Sequence, residues 1–141
     1  MKNVRWGSLV MLVCAVAGLA LLSTDANAQK TKGKTRAALT KQLMKGLVAS
    51  NCGALKKDLD AEAPNWEDVA LHAALLNESG HILLDDGRCP DGDWAGASKA
   101  LQTQSAAILE AAEKKDAAAA KEAFGKLTAE ACGACHKAHK K

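Results

Sequence analysis

The spacing of apolar residues constrains this chain most. From about Thr35 onward, apolar side chains recur every three or four residues in four separate segments. Nowhere do β-branched and polar residues alternate over the length of a strand. The first segment predicts a helix from about Thr35 to about Lys57. Ala37, Lys41, Met44, Val48, Asn51 and Leu55 form one stripe, with Leu39, Leu43 and Leu47 beside it. The turn "DLDAEAPN" follows, with Asn65 as N-cap and Asp68 three residues on. The second helix carries Val69, Ala73, Leu76 and Leu83, and Gly80 is expected to bend or end it. "DDGRCPDGD" reads as a loop, after which Asp93 is expected to cap a third helix with Trp94, Ala97, Leu101, Ser105, Ile108 and Ala112 inward. The link "EKKD" is short. Asp116 caps the fourth helix, whose stripe includes Ala120, Phe124, Leu127, Ala131, Ala134 and Ala138. Four amphipathic helices joined by short links predict an all-α, up-down-up-down four-helix bundle.

The first 28 residues read differently. Lys2 and Arg5 precede an apolar run from Leu9 to Leu22, which closes on Ala26-Asn27-Ala28. This is the pattern of a cleaved secretory signal peptide, covering residues 1–28. The run falls short of the ~20 residues that span a bilayer, which disfavours an uncleaved anchor, so the mature form is expected not to span the membrane. Cys14 leaves with the leader, and the large Val13 before it argues against a lipoprotein site. Residues 29–34 form a flexible basic lead and residues 35–141 a single bundle domain, expected in the periplasm.

Composition sharpens the problem. Beyond the leader the aromatic residues are Trp66, Trp94 and Phe124, with no tyrosine, and alanine dominates the apolar remainder. Hydrophobic stabilisation scales with buried area at ~25 cal/mol per Å², and alanine brings little area. Such a domain is short of bulk unless a large apolar group that is not protein completes it. The formal net charge is only +3, and no long basic run is interleaved with aromatics, so nucleic acid is not an expected partner.

Near the C-terminus stands "ACGACHKAH", residues 131–139. Cys132-Gly133-Ala134-Cys135-His136 has the spacing of a c-type haem attachment site. Each thiol adds across one haem vinyl group, and the vinyls are fixed on a rigid macrocycle. Residues i and i+3 share a helix face, which sets the two sulfurs about one turn apart. The imidazole of His136 then projects over the ring as an axial iron ligand. A zinc site would need pairs placed farther apart. A thioredoxin-like CxxC belongs at a helix N-terminus beside a βαβ pattern, which this chain lacks. A plain disulfide within the motif leaves His136 unexplained.

A haem motif near the end of the last of four helices resembles the class II c-type cytochromes, the cytochrome c′ family. The firm part of the resemblance is "CGACH"; the softer part is "LTKQLMKGLVASNCGALK", which is similar to that family's opening helix. The resemblance implies one covalent haem c on Cys132 and Cys135, iron held by His136, and a first-helix residue facing the sixth position. Met44 is the expected residue. Helix geometry agrees, because it lies ~14 Å along the first helix, a depth comparable with His136 on an antiparallel fourth. Whether Met44, His81 or nothing binds there is left open. His72 is expected to be a surface or satisfied side chain, and His139 to be unable to reach the opposite haem face. The family often carries an arginine one turn before the distal residue, where this chain has Thr40; Lys140 matches its basic residue after the haem histidine.

Cys52 and Cys89 are additional thiols. Export favours a disulfide between them, whereas Cys52 is expected some ~25 Å from the haem end. The resulting expectation is a non-enzymatic electron carrier, with an acidic redox partner facing Lys30, Lys32, Lys34, Lys137, Lys140 and Lys141. The alternative is a five-coordinate binder of nitric oxide or carbon monoxide. Family members often form homodimers, although no stripe here has a surplus apolar face. One outcome follows from composition alone. A Cys132→Ala, Cys135→Ala chain should be loosely packed and give poorly dispersed NMR signals; sharp, dispersed signals would contradict the need for a guest.

Overall fold

The computed structural model describes residues 32–140. The expected signal peptide and the first half of the basic lead lie outside these residues. The described chain is all-helical apart from its connections and one isolated antiparallel bridge, Lys32 with Leu39. Four helices pack against one another. Helix α1 spans residues 40–60, built as Thr40–Leu43, a π-helical stretch Met44–Ala49, and Ser50–Asp60. Helix α2 is Trp66–Leu84 and α3 is Gly92–Glu113. Helix α4 spans residues 117–139, as Ala117–Lys126, a second π-helical stretch Leu127–Gly133, and Ala134–His139. Helix α1 packs on α2, α2 on α3, α3 on α4, and α4 returns to α1. Among the described residues no helix is long and apolar enough to cross a membrane.

Two of the expected caps are in place. The Asn65 side chain accepts from Glu67 N at 3.1 Å, and Asp116 accepts from Ala118 N and Ala119 N at 3.1 and 3.0 Å. The third is corrected: α3 is capped by Asp91, which accepts from Trp94 N at 3.0 Å, and Asp93 falls within the first turn. There its charge suits the positive end of the helix dipole.

The start of α1 is also corrected, from Thr35 to Thr40. Asp86, in the α2–α3 loop, captures the backbone that would have formed the first turn. It accepts from Thr35 N at 2.8 Å, from the Thr35 hydroxyl at 3.0 Å and from Arg36 N at 3.0 Å. Residues 35–39 therefore run outside the helix, and the Gln42 side chain takes Leu39 N at 2.8 Å as the cap. Those hydrogen bonds and the Arg36 charge outweigh the effect of partial burial, and hold the Asp86 carboxyl below its usual range.

Gly80 neither bends nor ends α2. It is buried against α3. A Cβ there would stand 2.9 Å from the Ser98 carbonyl oxygen and 2.7 Å from Gln102 Cγ. The side chains behind it form a sealed core: Leu55 and Leu59 from α1, Val69 and Leu76 from α2, Ile108 from α3, with Leu127 from α4, none more than 1 % exposed. Truncating any of these to alanine is the kind of change that costs ~2–5 kcal/mol.

Gly80 and Gly96 make a paired test. Gly80→Ala must push backbone aside and should lose ~1–3 kcal/mol in denaturant melts. At Gly96 a Cβ meets nothing within 4 Å, so Gly96→Ala should gain up to ~1 kcal/mol from helix propensity. Equal effects at the two positions would contradict the close α2–α3 approach.

Candidate functional site

The helices part around one large cavity of ≈ 770 Å³. That is within the ~300–1,000 Å³ range of sites for small molecules and cofactors. Its walls are mainly apolar, with Met44 and Val48 from α1, Leu83 from α2, Trp94 and Leu101 from α3, and Phe124 from α4. Small residues (Ala49, Gly53, Ala97, Ala131) fill the intervening positions, which is why the space is wide.

Every residue expected to hold haem lines this cavity: Cys132, Cys135 and His136 from α4, and Met44 from α1. Thr40 and Lys140, the two positions compared with the cytochrome family, line it too. His81 does not; it is exposed at the end of α2. His72 is satisfied elsewhere, with Nδ1 2.9 Å from Asn51 Oδ1 and Nε2 3.7 Å from Asp58 Oδ2.

The donor set matches a covalently held macrocycle. Two thiols one helical turn apart, an adjacent imidazole and a facing thioether border a single apolar space. Burial raises the Cys135 thiol pKa, with a contribution from the Asp91 charge. Burial lowers that of His136, assisted by Lys140, and so favours the neutral imidazole that has a lone pair to offer. Among the described residues, no three His, Cys, Asp or Glu side chains are grouped as a metal site. A haem site does not require such a group, since the porphyrin supplies four of the iron's ligands.

Sequence reasoning missed several lining residues. Trp94 is 3 % exposed, gives its indole N–H to the Leu83 carbonyl at 2.7 Å, and so closes the last turn of α2. His139 packs edge-on against Trp94, with centroids 5.4 Å apart and planes at 74°. The histidine is buried, and its Nε2 lies 3.3 Å from Asp91 Oδ1, an ion-pair distance outside hydrogen-bond geometry. Asp91 is thus both the cap of α3 and the charged neighbour of the α4 terminus. The two π-helical stretches were not foreseen either. They carry Met44 and Val48 on one side and Cys132 on the other, and π turns are often found at functional sites. Gly133 ends the second stretch; a Cβ there would crowd the Thr128 carbonyl at 3.3 Å.

The Cys52–Cys89 bridge, which the sequence leaves open, is not formed, and the expected remoteness of Cys52 is corrected. All four described cysteines are free. Cys89 gives its S–H to the Asp91 carbonyl at 3.3 Å. Cys52 lines the cavity, as Cys132 does. The influence of the Cys132 thiol brings the Cys52 thiol down to about 7, against the opposing effect of burial, and that of Cys52 pushes Cys132 up. With α1 beginning at Thr40, Cys52 is twelve residues along it, ~18 Å in place of ~25 Å. Cys132 in turn lies seven residues before His139, away from the end of α4.

Comparison with protein-family models, curated proteins and solved structures gave no match.

The double use of Asp91 can be separated by substitution. Asp91→Ala should lose ~1 kcal/mol through the cap, whereas Asp91→Asn should keep most of it, since asparagine caps as well as aspartate. A loss as large in the asparagine variant would assign the stability to the charge facing His139 instead.

Proposed function

We propose that this chain is an exported, periplasmic monohaem c-type cytochrome that works as an electron carrier and not as an enzyme. The observation that carries the proposal is that Cys132, Cys135, His136 and Met44 border one apolar cavity of ≈ 770 Å³. Cys132 and Cys135 would hold haem c as thioethers, and His136 would bind its iron. When bound, the haem supplies an iron that cycles between two oxidation states.

The chain's own residues prepare that chemistry. The walls around the motif are mainly apolar. Burial favours neutral His136. Met44, on the facing helix, is the proposed sixth ligand, and a thioether in that position raises the potential. Lys41, Lys45 and Lys140 line the cavity and are exposed, so they present positive charge at its edge. That charge suits an acidic surface on a redox partner, at an encounter rate that falls with salt.

An up-down-up-down course is supported by where the residues fall. The sealed core draws on the end of α1, the beginning of α2 and the end of α3. The cavity draws on α1 from Thr40 to Lys56, on Leu83 near the end of α2, on the beginning of α3 and on α4 from Phe124 onward. The resemblance to class II cytochromes is part of the same proposal, together with the cleaved leader over residues 1–28.

The chain exported with its leader should be coloured, carry the mass of one haem and show sharp low-spin ferrous bands unmoved by carbon monoxide. Met44→Ala should open the sixth position, so that carbon monoxide now shifts the bands, and should lower the potential. Broad bands that respond to carbon monoxide in the natural chain would favour the gas-binding alternative. A colourless protein at the mass of its amino acids would overturn both.

A further inference from the structure

The two helices that carry the proposed iron ligands are held unequally. Helices α1 and α4 pack on each other through Ser50–Asp60 and Ala117–Lys126. Past that junction each carries a π-helical stretch beside the cavity. In α4, Leu127–Gly133 packs on α3 and buries both Leu127 and Ala131. In α1, Met44–Ala49 packs on α2 and buries Val48 alone, while Lys45, Gly46 and Ala49 are exposed. A stretch with so little buried apolar surface is among the first to open.

The α1 backbone is also weakened at this place. Glycine is a poor helix former, and packing does not require one at Gly46: among the described residues, a Cβ there would meet nothing within 4 Å. The Ser50 hydroxyl donates to the Gly46 carbonyl at 2.8 Å, and the Asn51 amide to the Leu47 carbonyl at 2.7 Å, so two acceptors of the helix ladder are engaged by side chains. Glycine–serine pairs, π turns and hydroxyls bonded back to the preceding turn are where helices bend. Both ends of the weakened region are anchored. Asp86 holds Thr35 and Arg36 ahead of α1, and Leu55 and Leu59 are sealed in the core behind it. A helix pinned at both ends and weakened between them yields in the middle.

We propose that Met44–Ala49 is the movable wall of the cavity: it bows away from α4 about Gly46, and the gap so opened admits a flat apolar guest, with α4 as the fixed wall that receives it. The guest rests on the reading of the cavity as a haem site; the movable wall does not. Met44 travels with the moving wall, so Cys132, Cys135 and His136 are in place before it closes.

Helix α4 supplies the control. Gly125 also has nothing within 4 Å of a Cβ among the described residues, and the Thr128 hydroxyl donates to its carbonyl at 2.8 Å, but the stretch that follows is buried against α3. Alanine at either glycine therefore brings the same gain in helix preference, on different walls.

Amide hydrogen exchange of the full haem-free chain, read by mass spectrometry, tests the wall. Residues 44–50 should exchange faster than residues 127–133. Gly46→Ala should slow exchange over 44–50 about fivefold, the ratio to which the helix preference of alanine over glycine corresponds, and Gly125→Ala should leave it unchanged. Equal slowing by the two variants would show that 44–50 opens only with the whole molecule and would overturn the movable wall.

The guest is tested with ferric haem, mixed with the same three haem-free chains and followed by its absorbance. Uptake should be about fivefold slower in Gly46→Ala, by the same ratio, and unchanged in Gly125→Ala. Equal rates in all three would overturn entry past α1. No uptake by any chain would overturn the guest and count against the haem reading, and the exchange experiment would then decide the wall alone.

Discussion

The organising constraint is the parting of α1 and α4 around a cavity whose intervening positions carry small side chains. Ala49 and Gly53 on one helix, and Ala131 on the other, let the backbones define the walls of a wide apolar cavity without filling it. Helix interiors normally pack to the density of organic crystals. Here the leucines and isoleucine with the least exposure, Leu55, Leu59, Leu76, Ile108 and Leu127, lie outside the cavity lining. The protein is thus divided between a sealed half that stabilises it and an adaptable half that presents sulfur and imidazole donors.

The joint between these halves is polar and specific. Trp94 ties the last carbonyls of α2 to the first turn of α3, and His139 leans on its edge from the end of α4. Asp91 caps α3 on the same spot. Three helix ends that would otherwise fray are held by one indole, one imidazole and one carboxylate. Asp86 does the corresponding work for the segment before α1. The donors of α4 are positioned by this frame as much as by the helix that carries them.

How much of this was legible depends on the range of the interaction. Asn65 and Asp116 cap helices within three residues of themselves, and the pattern that reveals them is equally local. Apolar stripes at helical spacing likewise identify the inward faces and the all-helical class. The first turn of α1 was misread because the residue that unwinds it, Asp86, is about fifty positions away in sequence, and no local pattern encodes such a hydrogen bond. A local rule cannot tell Asp93 from Asp91, two aspartates in one loop; the bond from the Trp94 amide makes Asp91 the cap. Gly80 read as a breaker when its role is to admit a neighbouring helix. The motif residues could be found from spacing alone, whereas Cys52 could be placed in the same cavity as Cys132 only once the helices were packed. The π turns leave no mark in hydrophobic periodicity over six or seven residues.

The central claim is that a porphyrin is bonded through sulfur to α4. The most direct measurement is acid–acetone extraction of the exported protein followed by mass analysis of tryptic peptide 127–137. The account predicts that colour stays with the protein and that this peptide alone carries the added mass of one haem. Colour that leaves with the solvent, or a peptide at its unmodified mass, would contradict it.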